Sequence, residues 1–136
     1  MFTVVKPEAR HRAFIEDTFC RSVTEAWPWA MMPWANLRDD FRRRTKGPWA
    51  RVGVAVLKED PDCYLGWAAV APMENEIVYA YTTGAYRTRP GVEFRVASTL
   101  ATHLGADLTK TTRLRYWTPA AEEISTRQGW KLEPAR

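Results

Sequence analysis

The sequence predicts one α+β domain with a central mixed, mostly antiparallel sheet flanked by about four helices. A chain of 136 residues is the usual size of a domain with one hydrophobic core. Apolar residues make up 46% and charged residues 26%, as in folded globular proteins. Segments in which apolar residues alternate are interspersed with segments in which they recur every four positions, so strands and helices are mixed along the chain. We therefore interpret residues 1–136 as a single domain.

The chain is predicted to open with a strand and a long helix. Residues 2–6 are apolar enough for a short strand, and Pro7 suits the first position of a helix because proline lacks a backbone N–H. Apolar residues then recur every four positions as far as Val23, and Pro28 stops the pattern. The prediction is a helix from about residue 7 to residue 26.

A second, shorter helix and a β-hairpin follow. Trp34, Leu37 and Phe41 have helical spacing, and a Gly-Pro pair ends that segment. Valines alternate with small residues in 51–57, and turn residues separate this strand from a return strand at 63–70.

Residues 77–81 are apolar at every position, which predicts a strand covered on both faces at the centre of the sheet. After a loop at 82–90, a helix of about fourteen residues is predicted to end near Gly105. We expect its apolar stripe to pack on the central strand; the stripe comprises Val96, Leu100 and Leu104, and the strand residues are Val78 and Ala80.

Three short elements complete the predicted domain. Residues 114–117 are a strand candidate, and Pro119 opens a last helix that Gly129 closes. Ala121 and Ile124 mark the buried face of that helix. Residues 130–132 are predicted to form the terminal strand.

The charge pattern restricts the expected partners. The net charge is +4, and the basic run 42–46 fits a solvated helix face better than a nucleic-acid site, because no aromatic residues alternate with the basic ones. Nucleic-acid binding is therefore ranked last. Cys20 and Cys63 have no metal-ligand spacing, so neither a metal nor a disulfide is expected. We expect no signal peptide and no membrane span, hence a cytoplasmic protein.

Two local patterns make the chain similar to the GNAT (Gcn5-related N-acetyltransferase) superfamily. The central strand is followed by Tyr86-Arg87, a loop and the aliphatic helix, and residues 118–130 match the family pattern N-x-x-A-x-x-F-Y-x-x-x-G-F through Ala121 and a Gly-aromatic ending. The order of elements, β, α, α, β, β, β, α, β, α, β, is also that of the family. The resemblance covers roughly residues 2–133.

The resemblance implies binding of acetyl-CoA by the loop after the central strand. In the family this loop reads Q/R-x-x-G-x-G/A, and its N–H groups and the following helix N-terminus hold the pyrophosphate. The pantetheine arm would pair with the end of the central strand. The implied cofactor-binding residues are Tyr81, Thr82, Thr83, Arg87, Arg89, Gly91 and Val92.

The loop departs from the family pattern at both glycine positions, which hold Pro90 and Val92 here. Proline donates no N–H, and valine limits the close approach that glycine permits. Arg87 and Arg89 match phosphate geometry and would partly compensate; the alternative is that they flank a solvent-facing turn. Because one N–H donor and one close approach are lost at the two positions where the family uses glycine, the sequence predicts weak or absent binding of acetyl-CoA.

Proton transfer also departs from the family. Many GNAT enzymes use a tyrosine of the last helix as the acid, and the matching position is Ser125, with Thr118 at the preceding asparagine position. Substitute tyrosines are Tyr79, Tyr81, Tyr86 and Tyr116. Glu74 and Glu76 are the nearest candidates for the base, although solvated turn residues are the commoner explanation. His11 is expected to be exposed, and His103 to be a packed or surface residue.

Two functions are compatible with these patterns. The first is an N-acyltransferase that uses acyl-CoA on an unidentified amine. The second is a non-catalytic GNAT-like binding or assembly protein, similar to small phage proteins tied to the virion or to host takeover, which would act in the host cytoplasm or the virion. Four tryptophans are predicted to cover the acceptor side of the cleft or form a protein-partner surface, the alternative being core filling; they are Trp27, Trp29, Trp34 and Trp49.

Overall fold

A computed structural model describes residues 2–84 and 92–135. The helices are α1 (Ala9–Val23), α2 (Trp34–Thr45), α3 (Val92–His103) and α4 (Pro119–Gln128). The strands are β1 (Phe2–Val5), β2 (Arg51–Leu57), β3 (Tyr64–Ala71), β4 (Glu76–Thr82), β5 (Thr112–Leu114) and β6 (Leu132–Pro134). Short 3₁₀ helices span Trp29–Met31 and Pro72–Glu74. The predicted order of elements is confirmed.

The strands form one six-stranded sheet in the order β1-β2-β3-β4-β5-β6. The pairs from β1 to β4 are antiparallel, whereas β4 pairs with β5, and β5 with β6, in parallel. The predicted mixed, mostly antiparallel sheet is therefore confirmed, and β4 lies at its centre. Among the helices in the described ranges, none has the length and apolar character needed to cross a bilayer.

The face of the sheet beneath α1 and α2 carries an aromatic core. Phe19 is fully buried and its ring centroid lies 4.5 Å from that of Phe41 and 4.8 Å from that of Tyr116. Trp67 of β3 is also fully buried, and its Nε1 donates to the Thr18 hydroxyl at 2.8 Å. These contacts fix α1 over the middle of the sheet.

The opposite face is covered by α3. Val96 and Leu100 are fully buried and Leu104 nearly so, as their spacing predicted. They belong to a cluster that includes Leu65 and Ala68 of β3. The apolar stripe therefore holds α3 against β3 as well as β4.

A β-bulge divides the residues of β4 between the two cores. Tyr79 pairs with Ala69, whereas Ile77 pairs with the very next residue of β3, so Val78 is an extra residue. Val78 and Tyr79 consequently both lie in the core under α1 and α2, while Ile77 and Ala80 lie on the α3 side. The prediction that Val78 packs against α3 was wrong, because unbroken alternation had been assumed.

The start of α1 differs from the prediction. The helix begins at Ala9 with Glu8 as its N-cap, so Pro7 precedes it. The Glu8 N–H donates to Nδ1 of His11 at 2.9 Å, which folds the imidazole against the helix start. His11 is fully buried with its ring 4.9 Å from that of Tyr64. The expectation of an exposed His11 was therefore wrong.

The last strands are shifted along the chain. β5 ends at Leu114, not at residue 117, because Tyr116 turns into the aromatic core. β6 begins at Leu132, not at residue 130, because the Trp130 N–H closes the end of α4 on the Ser125 carbonyl. The first shift follows from a tertiary contact that local propensity does not encode, and the second from a local hydrogen bond that ends the helix.

The basic run of α2 ties α1 to α2. Arg42 donates two hydrogen bonds to the Glu16 carboxylate, at 2.7 and 2.6 Å. These bonds hold the pKa of Glu16 below its ordinary value, although burial acts in the opposite direction. Arg43 and Arg44 both pair with Asp40 on the same helix. This side of α2 is thus an ion-pair network and not merely a solvated face.

Candidate functional site

A cleft opens where β4 and β5 part. Their parallel ladder pairs Glu76 with Arg113 and Ile77 with Leu114, and in the described chain it goes no further. The last of these pairs is reinforced by the Arg115 N–H, which donates to the Ile77 carbonyl at 3.0 Å. Beyond this point the two strands enclose a cleft of about 460 Å³.

Helices on both faces of the sheet contribute to the cleft. Ser22, Glu25 and Trp27 line it from the end of α1, while Ala97 and Ala101 line it from α3. The remaining described lining comes from β4, β5, α4 and neighbouring segments: Ala26, Ile77, Tyr79, Ala80, Tyr81, Thr82, Leu108, Leu114, Tyr116, Thr118, Pro119, Ala120, Ala121, Trp130 and Leu132. The cleft therefore reaches from the α1 side of the sheet to the α3 side.

The structure brings part of the predicted cofactor set together. Tyr81 and Thr82 line the cleft, Thr83 follows directly after β4, and Val92 is the first residue of α3. Arg87, Arg89 and Gly91 lie outside the described residues, as does the side chain of Val92. For the described members, β4 supplies the strand end that the resemblance implies.

The backbone of β4 has two differently oriented sets of polar groups. The Thr83 N–H donates to the Leu65 carbonyl at 2.8 Å, so the backbone of Thr83 faces β3. Because backbone N–H and C=O groups alternate sides along a strand, those of Tyr81 also point toward β3, whereas those of Ala80 and Thr82 point toward the cleft. The groups available to an extended ligand are therefore those of Ala80 and Thr82.

Tyr79 places a hydroxyl between β4 and α1. Its oxygen lies 2.8 Å from the Ser22 hydroxyl, and the ring is 8% exposed. Ser22 has a single hydroxyl proton, and its oxygen lies 2.6 Å from the Thr18 carbonyl, which can only accept. In this arrangement the Tyr79 hydroxyl donates to the Ser22 oxygen.

Tyr116 is held in a different way. Its hydroxyl donates to Asp40 at 2.5 Å, and the ring is buried. Burial and this hydrogen bond raise the pKa of Tyr116 far above that of a free phenol. Burial alone would raise the pKa of Asp40, but the bonds from Tyr116 and Arg44 outweigh it and lower that pKa. Tyr116 therefore stays protonated and holds the chain after β5 in the aromatic core. Tyr86, another predicted substitute, lies outside the described residues.

The family's acid position is structural in this chain. The Ser125 hydroxyl donates to the Trp130 carbonyl at 2.5 Å and accepts from the Leu132 N–H at 3.4 Å. Thr118, at the family's asparagine position, caps α4 by accepting from the Ala121 N–H at 3.3 Å. Ser125 is absent from the described cleft lining, so it does not take the place of the missing tyrosine.

The carboxylates predicted as bases lie elsewhere. Glu76 is buried and pairs with Arg115 at 2.8 Å, and Glu74 is exposed on the 3₁₀ helix before β4. Neither lines the cleft in the described residues, and neither does the exposed His103. Glu25 does line the cleft. The sequence did not indicate this role, because the end of an amphipathic helix is an ordinary place for a surface glutamate.

The four tryptophans are not equivalent. Trp27 is 75% exposed and lines the cleft, whereas Trp34 and Trp49 are exposed outside the described lining. Trp29 packs against Tyr116 at 5.3 Å and donates from Nε1 to the Trp117 carbonyl at 2.9 Å. Core filling is therefore the wrong interpretation for all but Trp29.

In the described part of the chain, no three His, Cys, Asp or Glu side chains lie close enough together to bind one metal ion. Cys20 is buried and Cys63 half-buried, and the two do not form a disulfide. Burial raises the pKa of the Cys20 thiol, which lowers its reactivity.

Comparison with known proteins gives one informative result. No family model matches the chain, and no curated protein matches it significantly. Among solved structures, the chain is similar to "Putative acetyl transferase from Pyrococcus furiosus", with a TM-score of 0.59 and 16% identity. The similarity covers 100% of this chain and 95% of that chain. At this identity it shows the fold, and the molecule is therefore an α+β protein with an acetyltransferase-like fold.

Proposed function

We propose that the protein is an N-acyltransferase that takes its acyl group from acyl-CoA, with acetyl-CoA as the model donor. The observation that carries this proposal is the open cleft between β4 and β5, whose volume of about 460 Å³ falls within the range of ligand sites. Closure by Pro90 and Val92 would fill the space beside Thr82 and Thr83. Thr82 lines the cleft, which supports an open site, whereas Thr83 is outside the described lining, and Pro90 and the side chain of Val92 lie outside the described residues.

The donor would lie along the open edge of β4. Pantetheine carries two amide groups, and the backbone of Ala80 and Thr82 faces the cleft at a spacing suited to an added strand. The start of α3 at Val92 offers the positive end of a helix dipole to the pyrophosphate. Arg87, Arg89 and Gly91 are proposed to complete this site with Tyr81 and Thr83.

The reaction is a direct transfer. The neutral nitrogen of the acceptor attacks the thioester carbonyl, a C–N bond forms, the C–S bond breaks and the thiolate leaves. The thiolate takes up one proton, and the nitrogen loses one. We propose Tyr79 as the proton donor, because it lines the cleft directly after the point where β4 and β5 part. Rotation about its C–O bond would turn the hydroxyl proton from the neutral Ser22 hydroxyl to the thiolate.

Tyr116 is not suited to this role. Its phenol donates to the charged Asp40, and its raised pKa makes loss of the proton to a thiolate unfavourable. Its contribution would be structural, because it holds the chain after β5 in the aromatic core and away from β4.

Calorimetry with acetyl-CoA tests the proposal. The expected result is a Kd of about 100 µM or lower, corresponding to roughly −5.5 kcal/mol. Ala120→Trp should abolish the heat of binding, because a large ring replaces an exposed alanine of the cleft lining and obstructs the cleft. Ala35→Trp, at an exposed position of α2 outside the described lining, should leave the Kd of acetyl-CoA unchanged. Absence of heat at millimolar acetyl-CoA with the unmodified protein contradicts the proposal.

A non-catalytic binding or assembly role is the second candidate. One observation favours it: the family's acid position is Ser125, whose hydroxyl is committed to the Trp130 carbonyl. This candidate predicts no acetyl-CoA binding, or binding without any release of free thiol in the presence of amines. The same titration, followed by a thiol-release assay, separates the two functions.

A further inference from the structure

The cleft is electrostatically unlike the rest of the chain. The protein has a net charge of +4, yet the described lining of the cleft contains a single charged side chain, that of Glu25. All other described lining residues are apolar, aromatic or hydroxyl-bearing. A cation that enters the cleft therefore meets one negative charge and no described positive charge.

Glu25 is available to a ligand. It lies two residues after the end of α1 and is exposed, and its backbone N–H closes the helix on the Ser22 carbonyl at 3.3 Å. In the described parts of the chain its carboxylate forms none of the salt bridges, unlike that of Glu16 or Glu76. The other two carboxylates are engaged by arginines, whereas Glu25 lines the cleft and has no arginine partner among the described residues.

An exposed aromatic surface adjoins this carboxylate. Trp27 is 75% exposed although it lines the cleft, and Ala26 lies between it and Glu25. An indole face attracts both apolar groups and cations, and tryptophan is the strongest of the aromatic residues in the second role. On the α1 side, the cleft thus combines one carboxylate with one solvent-accessible ring.

We infer that the acceptor is a primary amine attached through a short link to an aromatic or apolar group. This inference rests on the proposed function and names the substrate class of the same cleft. The ammonium group contacts Glu25, and the apolar group packs on Trp27. Amines that also carry a carboxylate or phosphate near the nitrogen are disfavoured, because Glu25 repels them. Free amines and the N-terminus of a peptide with an apolar first residue share this chemistry.

Direct binding measured without acetyl-CoA tests the inference separately from the proposed function. The probe is 2-phenylethylamine, compared with 3-phenylpropanoate, which has the same ring but the opposite charge, and with ethanolamine, which lacks the ring. Titrations followed by tryptophan fluorescence and by NMR should show at least about tenfold tighter binding of 2-phenylethylamine than of 3-phenylpropanoate, as loss of one charged contact implies. Binding should be about fivefold tighter than that of ethanolamine, which keeps the ammonium group but loses the ring contact.

Two pairs of variants assign the effect to the named residues. Glu25→Gln should weaken 2-phenylethylamine about tenfold, and Glu74→Gln, an exposed carboxylate outside the described lining, should not change it. Trp27→Ala should weaken it about fivefold, and Trp49→Ala should not. The Kd of acetyl-CoA should stay within about twofold in all four variants.

The binding results for the amine probes and for acetyl-CoA test the acceptor class and the acyltransferase proposal separately. Equal binding of 3-phenylpropanoate, or no effect of Glu25→Gln, overturns the acceptor class even if acetyl-CoA binds. Binding of 2-phenylethylamine that depends on Glu25, in a protein that does not bind acetyl-CoA, supports the amine site and contradicts the acyltransferase. A hexapeptide that begins with phenylalanine, compared with its N-acetylated form, identifies the source: tighter binding of the unblocked peptide than of 2-phenylethylamine indicates a peptide N-terminus.

Discussion

The two edges of β4 have opposite properties. Along β3 the pairing runs from Ala71 opposite Glu76 to Gly66 opposite Thr82, and the Thr83 N–H extends it. Along β5 the pairing stops after Ile77, and a cleft follows. One edge of β4 is therefore fully paired, whereas the other is open and faces the cleft.

The difference between the edges has causes in both neighbours. On the β3 side the strands form a tight antiparallel pair in which a Cβ at Gly66 would lie 2.2 Å from the Tyr81 carbonyl oxygen. On the β5 side the chain leaves the sheet because Tyr116 inserts into the aromatic core and bonds to Asp40. The bulge at Val78 turns Tyr79 toward this parting point.

The largest expected effect comes from the packing that supports both edges. Leu100→Ala should lower the free energy of unfolding by about 2 to 5 kcal/mol, because Leu100 is fully buried under β3 and β4 and the cavity cannot collapse completely. Chemical denaturation measures the change. A loss well below 1 kcal/mol would contradict the placement of α3.

Tyr79→Phe tests the proposed proton donor at the open edge, and it also removes the hydrogen bond to Ser22 of α1. Turnover with an amine acceptor should fall about a hundredfold through loss of the proton donor, while the Kd of acetyl-CoA should remain unchanged. Tyr64→Phe, at a tyrosine of β3 outside the described cleft lining, is the control and should retain most activity. An equal loss in both variants would contradict the assignment of Tyr79.

Gly66→Ala tests the close packing of β3 against β4 at the closed edge. We expect a loss of about 1 to 3 kcal/mol, because the obstructing atom is backbone and the strands must move apart. Gly53→Ala provides the comparison, since its new Cβ would meet the side chains of Val4 and Leu104, which can adjust more easily. Thermal denaturation should therefore rank Gly66→Ala as the more damaging substitution.

The smallest effect concerns pH and the ion pair between α1 and α2. The folded-state pKa of Glu16 is lowered, mainly by the hydrogen bonds from Arg42, so the pair stabilises the fold above the ordinary glutamate pKa and loses this contribution as pH falls through the lowered value. Arg42→Gln should therefore be less stable than the unmodified protein near pH 7, with the difference shrinking toward about pH 3. A difference independent of pH would contradict this role of the pair.

The sequence was sufficient where local spacing and tertiary structure agree. Periodicity located α2, α3 and the hairpin of β2 and β3, and the burial of Val96, Leu100 and Leu104 follows from their spacing. It did not reveal the bulge at Val78, because an extra residue leaves the apolar pattern of an all-buried strand unchanged.

The candidate site was less accessible from the sequence. The end of β4 was predicted through Tyr81, Thr82 and Thr83, but Glu25 was not, since only the fold brings the end of α1 to the cleft. Glu76 was a reasonable candidate by position, yet the pairing of β4 with β5 places it beside Arg115. Long-range pairing decides which carboxylate is available.

NMR of the backbone amides of β4 tests the central claim most directly, because each edge of the strand reports separately. On titration with acetyl-CoA, the amide signals of Ala80 and Thr82 should shift strongly, since their N–H groups face the cleft, whereas those of Tyr81 and Thr83, which face β3, should shift much less. Adding acetyl-CoA to millimolar concentration without a shift at Ala80 and Thr82, or with equal shifts at all four amides, would contradict the claim that the open edge of β4 receives the donor.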